Sequence, residues 1–430
     1  MWKNLEKRKH IIKCILISSC FWGVFSHGMT LFNEYSYHDD ATLFLIGSTY
    51  SSGRWMLGFL GEWINKLTGS TYYSTPLFKG GLTILFIALA CILISDLLDI
   101  KNIFLNIVLN GIMISFPTIA GIMGYKFTAP YYLLGSFIGI LGVYIVCKYF
   151  KWYSYIGGVF LIAASIGTYQ ANIPICISLL LIYMIKTISQ NNYTWKRFLI
   201  LAIYNVIICV GFMSVYFGIN KLMLRVKHIE LTSYQGINDF GKTSLEGYLD
   251  RCIIAYKEFF NPAGHVSRNM YPFSLGIFYK VLLGIGIFMT IYLIFRRTQK
   301  SITYGIQLLL LVLFLPLAVN FIYVMCEQAT VHTLMMYGEV FFFVYFIWVL
   351  EQLKFPNEKI SQVVTKGMAI ILLVVTAMYC RFDNICYLKA EILQSQAISY
   401  YTTLITRIKS TEGYTDDMPV VYINENKKQI

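Results

Sequence analysis

His38, Asp39 and Asp40 stand in a row just past the first long apolar stretch, and Ser51-Ser52-Gly53-Arg54-Trp55 follows a few residues later. Acids are scarce, with Asp and Glu together numbering 22 in 430 residues, so two adjacent carboxylates beside an apolar span call for a reason. One reason is chemical. A positioned carboxylate accepts the proton of an attacking hydroxyl. Where the departing group is a phosphate, little acid assistance is needed and one carboxylate is enough, unlike glycoside hydrolysis with its two separated acids. A second reason is structural: an Asp just ahead of Ala41-Thr42-Leu43 is a good helix N-cap. The two are compatible, because only one carboxylate need be free. A third reading makes His38, Asp39 and Asp40 hard ligands for Mg²⁺ or Mn²⁺. Adjacent side chains point different ways, so that reading is not favoured, and no cofactor is required.

A phosphate also needs positive charge. Arg54 offers a planar fork that can grip phosphate oxygens; its plainer reading is an interfacial residue whose stem lies along apolar surface. Lys126, in the turn Gly124-Tyr125-Lys126-Phe127, adds a second charge, or is simply solvated at a helix end. Tyr169-Gln170-Ala171-Asn172 interrupts an apolar stretch. Polar groups there line either a substrate cavity or a plain turn. His332 and Tyr337 are weaker pocket candidates. No nucleophile elbow, phosphate loop or dinucleotide fingerprint occurs.

The elements that must position these groups are membrane helices. Hydrophobic residues make up 57% of the chain and charged residues 13%, too apolar for an ordinary soluble domain. Spans are expected near 11–32, 77–96, 102–119, 129–147, 154–168, 171–186, 198–221, 273–295, 303–325, 335–351 and 366–380, about eleven transmembrane helices. The first is too long for a cleaved signal peptide and lacks a small-residue cleavage site. Short basic loops fall alternately on the side of the N-terminus, which the positive-inside rule makes cytoplasmic. His38-Asp39-Asp40 and the C-terminal tail are then extracytoplasmic. The net charge of +13 comes largely from this collar; no basic run interleaved with aromatics speaks for nucleic acid.

Three outer segments are expected, at 33–76, at 222–272 and from 381 to 430, the last a small α/β tail ending in the β-prone run Val420-Val421-Tyr422-Ile423. Residues 1–380 form the transmembrane module. In the first segment, Trp55, Phe59, Trp63 and Leu67 predict an interfacial helix with an i,i+4 pair from Glu62 to Lys66. In the second, Leu245, Tyr248, Leu249, Cys252, Ile253, Tyr256 and Phe260 predict an amphipathic helix with one apolar stripe. The tail starts as a further amphipathic helix. The ten cysteines show no metal pattern, and Cys380 with Cys386 has poor spacing for a bridge.

Taken in order, Tyr37-His38-Asp39-Asp40, Gly53-Arg54-Trp55, Gly167-Thr168-Tyr169-Gln170-Ala171, Met335-Met336-Tyr337-Gly338 and the run from Ile405-Thr406-Arg407-Ile408 to Pro419-Val420-Val421 resemble the serotype-converting bacterial glucosyltransferases of type II. That family belongs to the GT-C superfamily of multi-span glycosyltransferases. The resemblance implies an all-α polytopic fold in the bacterial inner membrane. It implies a polyprenyl-phosphate-linked sugar, glucose above all, as donor and a surface polysaccharide or lipid-linked glycan as acceptor. It also implies inversion at the anomeric carbon, with Asp39 or Asp40 as base. This sequence has Thr333-Leu334 before Met335, where the family pattern calls for a basic residue. Two other classes compete: a flippase or transporter for lipid-linked sugars, and a non-catalytic assembly subunit.

Overall fold

The computed structural model describes residues 2–33, 46–69, 75–149, 151–232, 244–262, 273–325, 331–353 and 358–421. Seventeen α-helices carry the described chain, with no strand among the described residues. They are α1 (Trp2–Phe32), α2 (Ile46–Ser51), α3 (Trp55–Thr68), α4 (Pro76–Leu98), α5 (Ile103–Ser115), α6 (Pro117–Met123), α7 (Ala129–Lys148), α8 (Trp152–Thr168), α9 (Ile173–Gln190), α10 (Trp195–Lys227), α11 (Leu245–Phe260), α12 (Phe273–Thr298), α13 (Ile302–Leu313), α14 (Leu315–Val319), α15 (Ile322–Met325), α16 (Val340–Gln352) and α17 (Glu358–Lys409). Short 3-10 turns cover Gln170–Asn172, Thr333–Met335 and Tyr337–Glu339.

Eight helices are long and apolar enough to cross a bilayer, nine when the bent pair α5–α6 is taken as one span. The expected count of eleven also included α8, of 17 residues, and the region of α16, of 13, both short for a crossing. Local chemistry sets the boundaries. Pro76 opens α4, where a missing N–H costs nothing. The side chain of Asn102 caps α5 through the Phe104 and Leu105 amides, and Ser244 caps α11 through Gly247. Gly69 ends α3 at φ 62°.

The centre of the bundle is α16, whose residues from Val340 to Leu350 are all buried. Helices α7 and α8 approach so closely that a Cβ on Gly142 would lie 2.7 Å from the Gly158 carbonyl, the small-residue contact that membrane helices use. At the end of the bundle where α1 begins, Asp96 gathers Arg8 at 2.6 Å, Lys148 at 3.1 Å and the Tyr144 hydroxyl at 2.6 Å. Lys186 pairs there with Asp99. The opposite end, where α1 finishes, is called the distal end below.

Two spans are interrupted. Helices α5 and α6 bend by 45° around Phe116 and Pro117. Pro117 has no N–H to offer the Met113 carbonyl, and the Tyr337 hydroxyl donates to that carbonyl instead at 2.8 Å. The Ile114 carbonyl takes His27 Nε2 at 2.9 Å. The second interruption lies between α13, α14 and α15, around Phe314, Pro316 and Asn320. There α11 supplies the partners: Tyr256 donates to the Leu313 carbonyl, and Arg251 to the Val324 carbonyl at 3.3 Å. Exposed backbone at membrane depth needs such partners.

Two expectations change. Glu62 pairs with Lys227 at 2.6 Å rather than with Lys66, tying α3 to the distal end of α10. On α11 the stripe residues Leu245, Leu249, Ile253 and Phe260 are exposed and Tyr248, Cys252 and Tyr256 half-buried, while Arg251, Ala255, Glu258 and Phe259 are buried. Glu246, Asp250 and Lys257 are exposed as well, so the exposed side of α11 is mixed and its buried side carries two charged residues. The expected span at 366–380 and the tail helix are one continuous helix of 52 residues, α17, with no break at 380. Residues 410–421 follow without a strand, and the end of the β-prone run, from 422, lies outside the described residues.

Candidate functional site

The distal end brings together the end of α1, the turn 124–128, the start of α7, the α2–α3 elbow and the 3-10 turns at 170–172 and 333–339. Its best-built feature is the elbow. Gly53 sits at φ 72°, a left-handed conformation that favours glycine, and so reverses the chain between α2 and α3. The Gly53 and Arg54 amides close the turn onto the Tyr50 and Thr49 carbonyls, each at 3.0 Å. Trp55 then packs into the notch left by Gly167 on α8, where a Cβ would meet the indole at 2.4 Å. Two segments 112 positions apart in sequence, Gly53-Arg54-Trp55 and Gly167-Thr168-Tyr169-Gln170, are thus in direct contact.

The elbow presents Arg54 to a stack of tyrosines. Its guanidinium lies 5.0 Å from the centre of the Tyr169 ring, and Nη1 donates to the Tyr132 hydroxyl at 3.2 Å. The rings of Tyr132 and Tyr169 stack at 4.3 Å with 13° between their planes. A guanidinium stacked this way is held in one plane at little entropic cost. Gln170 stitches the turn from behind: Nε2 donates to the Ser52 carbonyl at 2.8 Å and to the Tyr216 hydroxyl at 3.2 Å. The Tyr216 hydroxyl donates to the Gly53 carbonyl at 3.1 Å. Arg54, Tyr169 and Gln170 are therefore one assembly, with Tyr169 and Gln170 supporting Arg54.

Lys126 is 5% exposed, and its ammonium donates to the Asn33 carbonyl at 3.2 Å. A cation at the C-terminal end of α1 complements the helix dipole. Lys79 reaches the neighbouring Phe127 carbonyl at 3.5 Å. Asn33 is the last described residue before 34–45, so His38, Asp39 and Asp40, including their reading as metal ligands, lie outside the described residues. Among the described residues no three His, Cys, Asp or Glu side chains gather as metal ligands. Tyr337 is buried with its hydroxyl on the α5–α6 break, and its ring is 6.3 Å from that of Phe116. His332 caps the start of the 3-10 turn Thr333–Met335 by position, without a side-chain cap bond.

Sequence reasoning missed Tyr132, Tyr216 and Lys79. The signal for Tyr132 was present: Pro130-Tyr131-Tyr132 puts two phenols in the first turn of a span, at the level where amphipathic rings gather. Tyr216 lies deep within α10 and carried no local mark.

The described chain is an apolar helical bundle with a guanidinium stacked on a tyrosine at one end. The family model described as glucosyl transferase GtrII matches residues 28–343, which include the elbow, Lys126, the tyrosine stack and Tyr337, and the chain belongs to that family. Membership makes it a glucosyltransferase, and its helices make it a multi-pass membrane protein. No curated protein and no solved structure matches the chain.

Proposed function

We propose that the protein moves a glucosyl residue from a polyprenyl-phosphate donor to a hydroxyl of a cell-surface polysaccharide or lipid-linked glycan, as a GT-C-type enzyme of the bacterial plasma membrane. The distal end is taken as the outer face, with the N-terminus cytoplasmic and the C-terminus extracytoplasmic. The observation that carries the reading is the Arg54 assembly. A fork held flat against Tyr169 and anchored on Tyr132, with the buried Lys126 at the same end of the bundle, is suited to a phosphate that gains charge as it departs.

In this mechanism the acceptor oxygen attacks the anomeric carbon as the bond to the phosphate oxygen breaks on the opposite side, which inverts the centre. Asp39 or Asp40 takes the acceptor proton, and the electron pair of the broken bond leaves with polyprenyl phosphate. Arg54 meets that charge, and Lys126 adds to the local positive field. His38 stands beside the carboxylates and tunes them. No metal is needed for the charge balance, although His38, Asp39 and Asp40 form a donor set a divalent ion could use.

The test is transfer from a labelled prenyl-phosphate glucose in membranes, with Asp39→Asn and Asp40→Asn made separately. One of the two is expected to lose at least about a hundredfold in rate. Full transfer by both, with normal insertion, removes the carboxylate base. A chelator that leaves the rate unchanged removes a required metal. One observation favours a second reading, a flippase for the same lipid: two spans are interrupted, as transporter helices often are. A flippase would move the labelled lipid across sealed vesicles without forming a glycosidic bond.

A further inference from the structure

Beneath the outward stripe of α11 lies a group of polar side chains that the mechanism above does not use. Arg251, Glu258, Tyr279, Asn320 and Glu339 are each at most 7% exposed, although they belong to four different stretches of chain. Their neighbourhood is fixed by named contacts. Asn320 Nδ2 donates to the Ala255 carbonyl on the buried face of α11 at 3.1 Å. The Tyr279 hydroxyl donates to the Phe259 carbonyl at 3.0 Å, next to Glu258. The rings of Tyr279, Phe259 and Phe342 close one side, at 5.1 and 5.8 Å from each other across Phe342. Gly338, beside Glu339, is pressed against the Val319 carbonyl, where a Cβ would lie 2.7 Å away, and Asn320 is the next residue along.

Two features mark this group. The amide oxygen of Asn320 is buried yet accepts no hydrogen bond from any described residue. Buried acceptors are rarely left so, and each such atom asks for a ligand, a water or a partner. The group also lies where a span is interrupted, and non-helical backbone at membrane depth is tolerated where it is buried in protein or lines a cavity. It adjoins the Arg54 assembly, because the turn Tyr337–Glu339 packs against the turn Gln170–Asn172.

Resting on the glucosyl-transfer reading, we propose that this group is the sugar-recognition subsite: Glu339, Glu258 and Asn320 read the hydroxyls of a hexose, the Phe259, Tyr279 and Phe342 rings form its apolar wall, and α11 is the cover over it. The chemistry matches a hexose better than a second phosphate. Carboxylates and an amide oxygen accept from hydroxyls and repel anions, while Arg251 is directed at the Val324 carbonyl. Arg54 holds the charge, and the α11 group supplies selectivity.

The experiment compares prenyl-phosphate donors bearing glucose, its C4 epimer galactose and single-deoxy glucoses, with the acceptor varied in parallel. The wild-type protein is expected to reject at least one deoxy donor by about tenfold or more, as sites built to bond a hydroxyl do. Glu339→Gln and, separately, Asn320→Leu should lower kcat/KM for glucose and shrink the glucose-to-galactose ratio by about tenfold. A merely structural role would lower both sugars alike and keep the ratio. A shift in the donor's ratio places the hexose as the donor's, and a shift confined to acceptor analogues places it as the acceptor's. Unchanged ratios in both variants, with no deoxy donor or acceptor rejected by the wild type, overturn the subsite and leave glucosyl transfer standing. Absence of transfer by the wild type from every donor overturns both.

Discussion

The indole of Trp55 occupies the space above Gly167, so close that a methyl group on that glycine would lie 2.4 Å from the ring. The contact sets the register between α3, which begins at Trp55, and α8, which ends one residue after Gly167. It therefore sets where Arg54 stands relative to Tyr169.

Gly167→Ala should push Trp55 or α8 aside at a cost of about 1–3 kcal/mol, the usual range for overpacking. The displaced Arg54 is expected to slow transfer by roughly tenfold or more, because small misplacements cost much in positioned chemistry. Pairing it with Trp55→Phe should recover part of the rate, and the coupling in a double-mutant cycle measures the contact. Independent, additive effects would show that the two residues do not share this role.

Arg54→Lys keeps the charge and loses both the fork and the stacking on Tyr169. The donor KM should rise by about tenfold, with a smaller change in the acceptor KM. Tyr132→Phe removes one hydroxyl bond and should cost far less. A lysine variant with wild-type kinetics would mean that position 54 supplies only charge.

Tyr337→Phe removes the donor that satisfies the Met113 carbonyl opposite Pro117. A buried acceptor left alone costs about 1–3 kcal/mol. Thermal unfolding in detergent should show that loss, and Pro117→Ala, which restores an N–H, should reduce it. A stability loss of the same size in both backgrounds would exclude the carbonyl as the reason.

Glu62→Lys should loosen α3 from α10, with Lys227→Glu in the same protein restoring the pair. The pair is partly exposed, so the effect on stability is expected below about 1 kcal/mol and to fade with added salt. Hydrogen exchange of the α3 amides is the measurement: faster exchange in the single variant and recovery in the swap.

Much of the membrane architecture was legible from apolar length, and the ends of α3 and α4 from Gly69 and Pro76. Which way a stripe faces was not legible. Spacing of four in a helix advances each side chain by about 40° beyond a full turn. Trp55, Phe59, Trp63 and Leu67 therefore spiral around α3: Trp55 is buried, while Phe59, Trp63 and Leu67 are exposed. On α11 two charged residues, Arg251 and Glu258, lie on the inner side, where a rule made for water does not expect them. The ties among Arg54, Tyr132 and Tyr169, and between Glu62 and Lys227, span up to 165 positions. No local pattern records such pairs. Tyr169-Gln170-Ala171-Asn172 stands out by its polarity and Gly167-Thr168-Tyr169-Gln170-Ala171 by the resemblance, but the place of Tyr169 against Arg54 comes only from the fold.

Helix α17 has 52 residues, so it is about 78 Å long, while a bilayer's hydrocarbon layer takes up about 30 Å. It is fastened to α1 by a seam in which Ser26 meets Asp383, His27 meets the Tyr387 hydroxyl at 2.7 Å, and Asn384 holds the Phe25 carbonyl at 3.0 Å. Beyond Tyr387 the residues of α17 turn largely to solvent or lipid. The seam thus joins the long helix to α1 a few residues before Asn33, after which the stretch containing Asp39 and Asp40 begins.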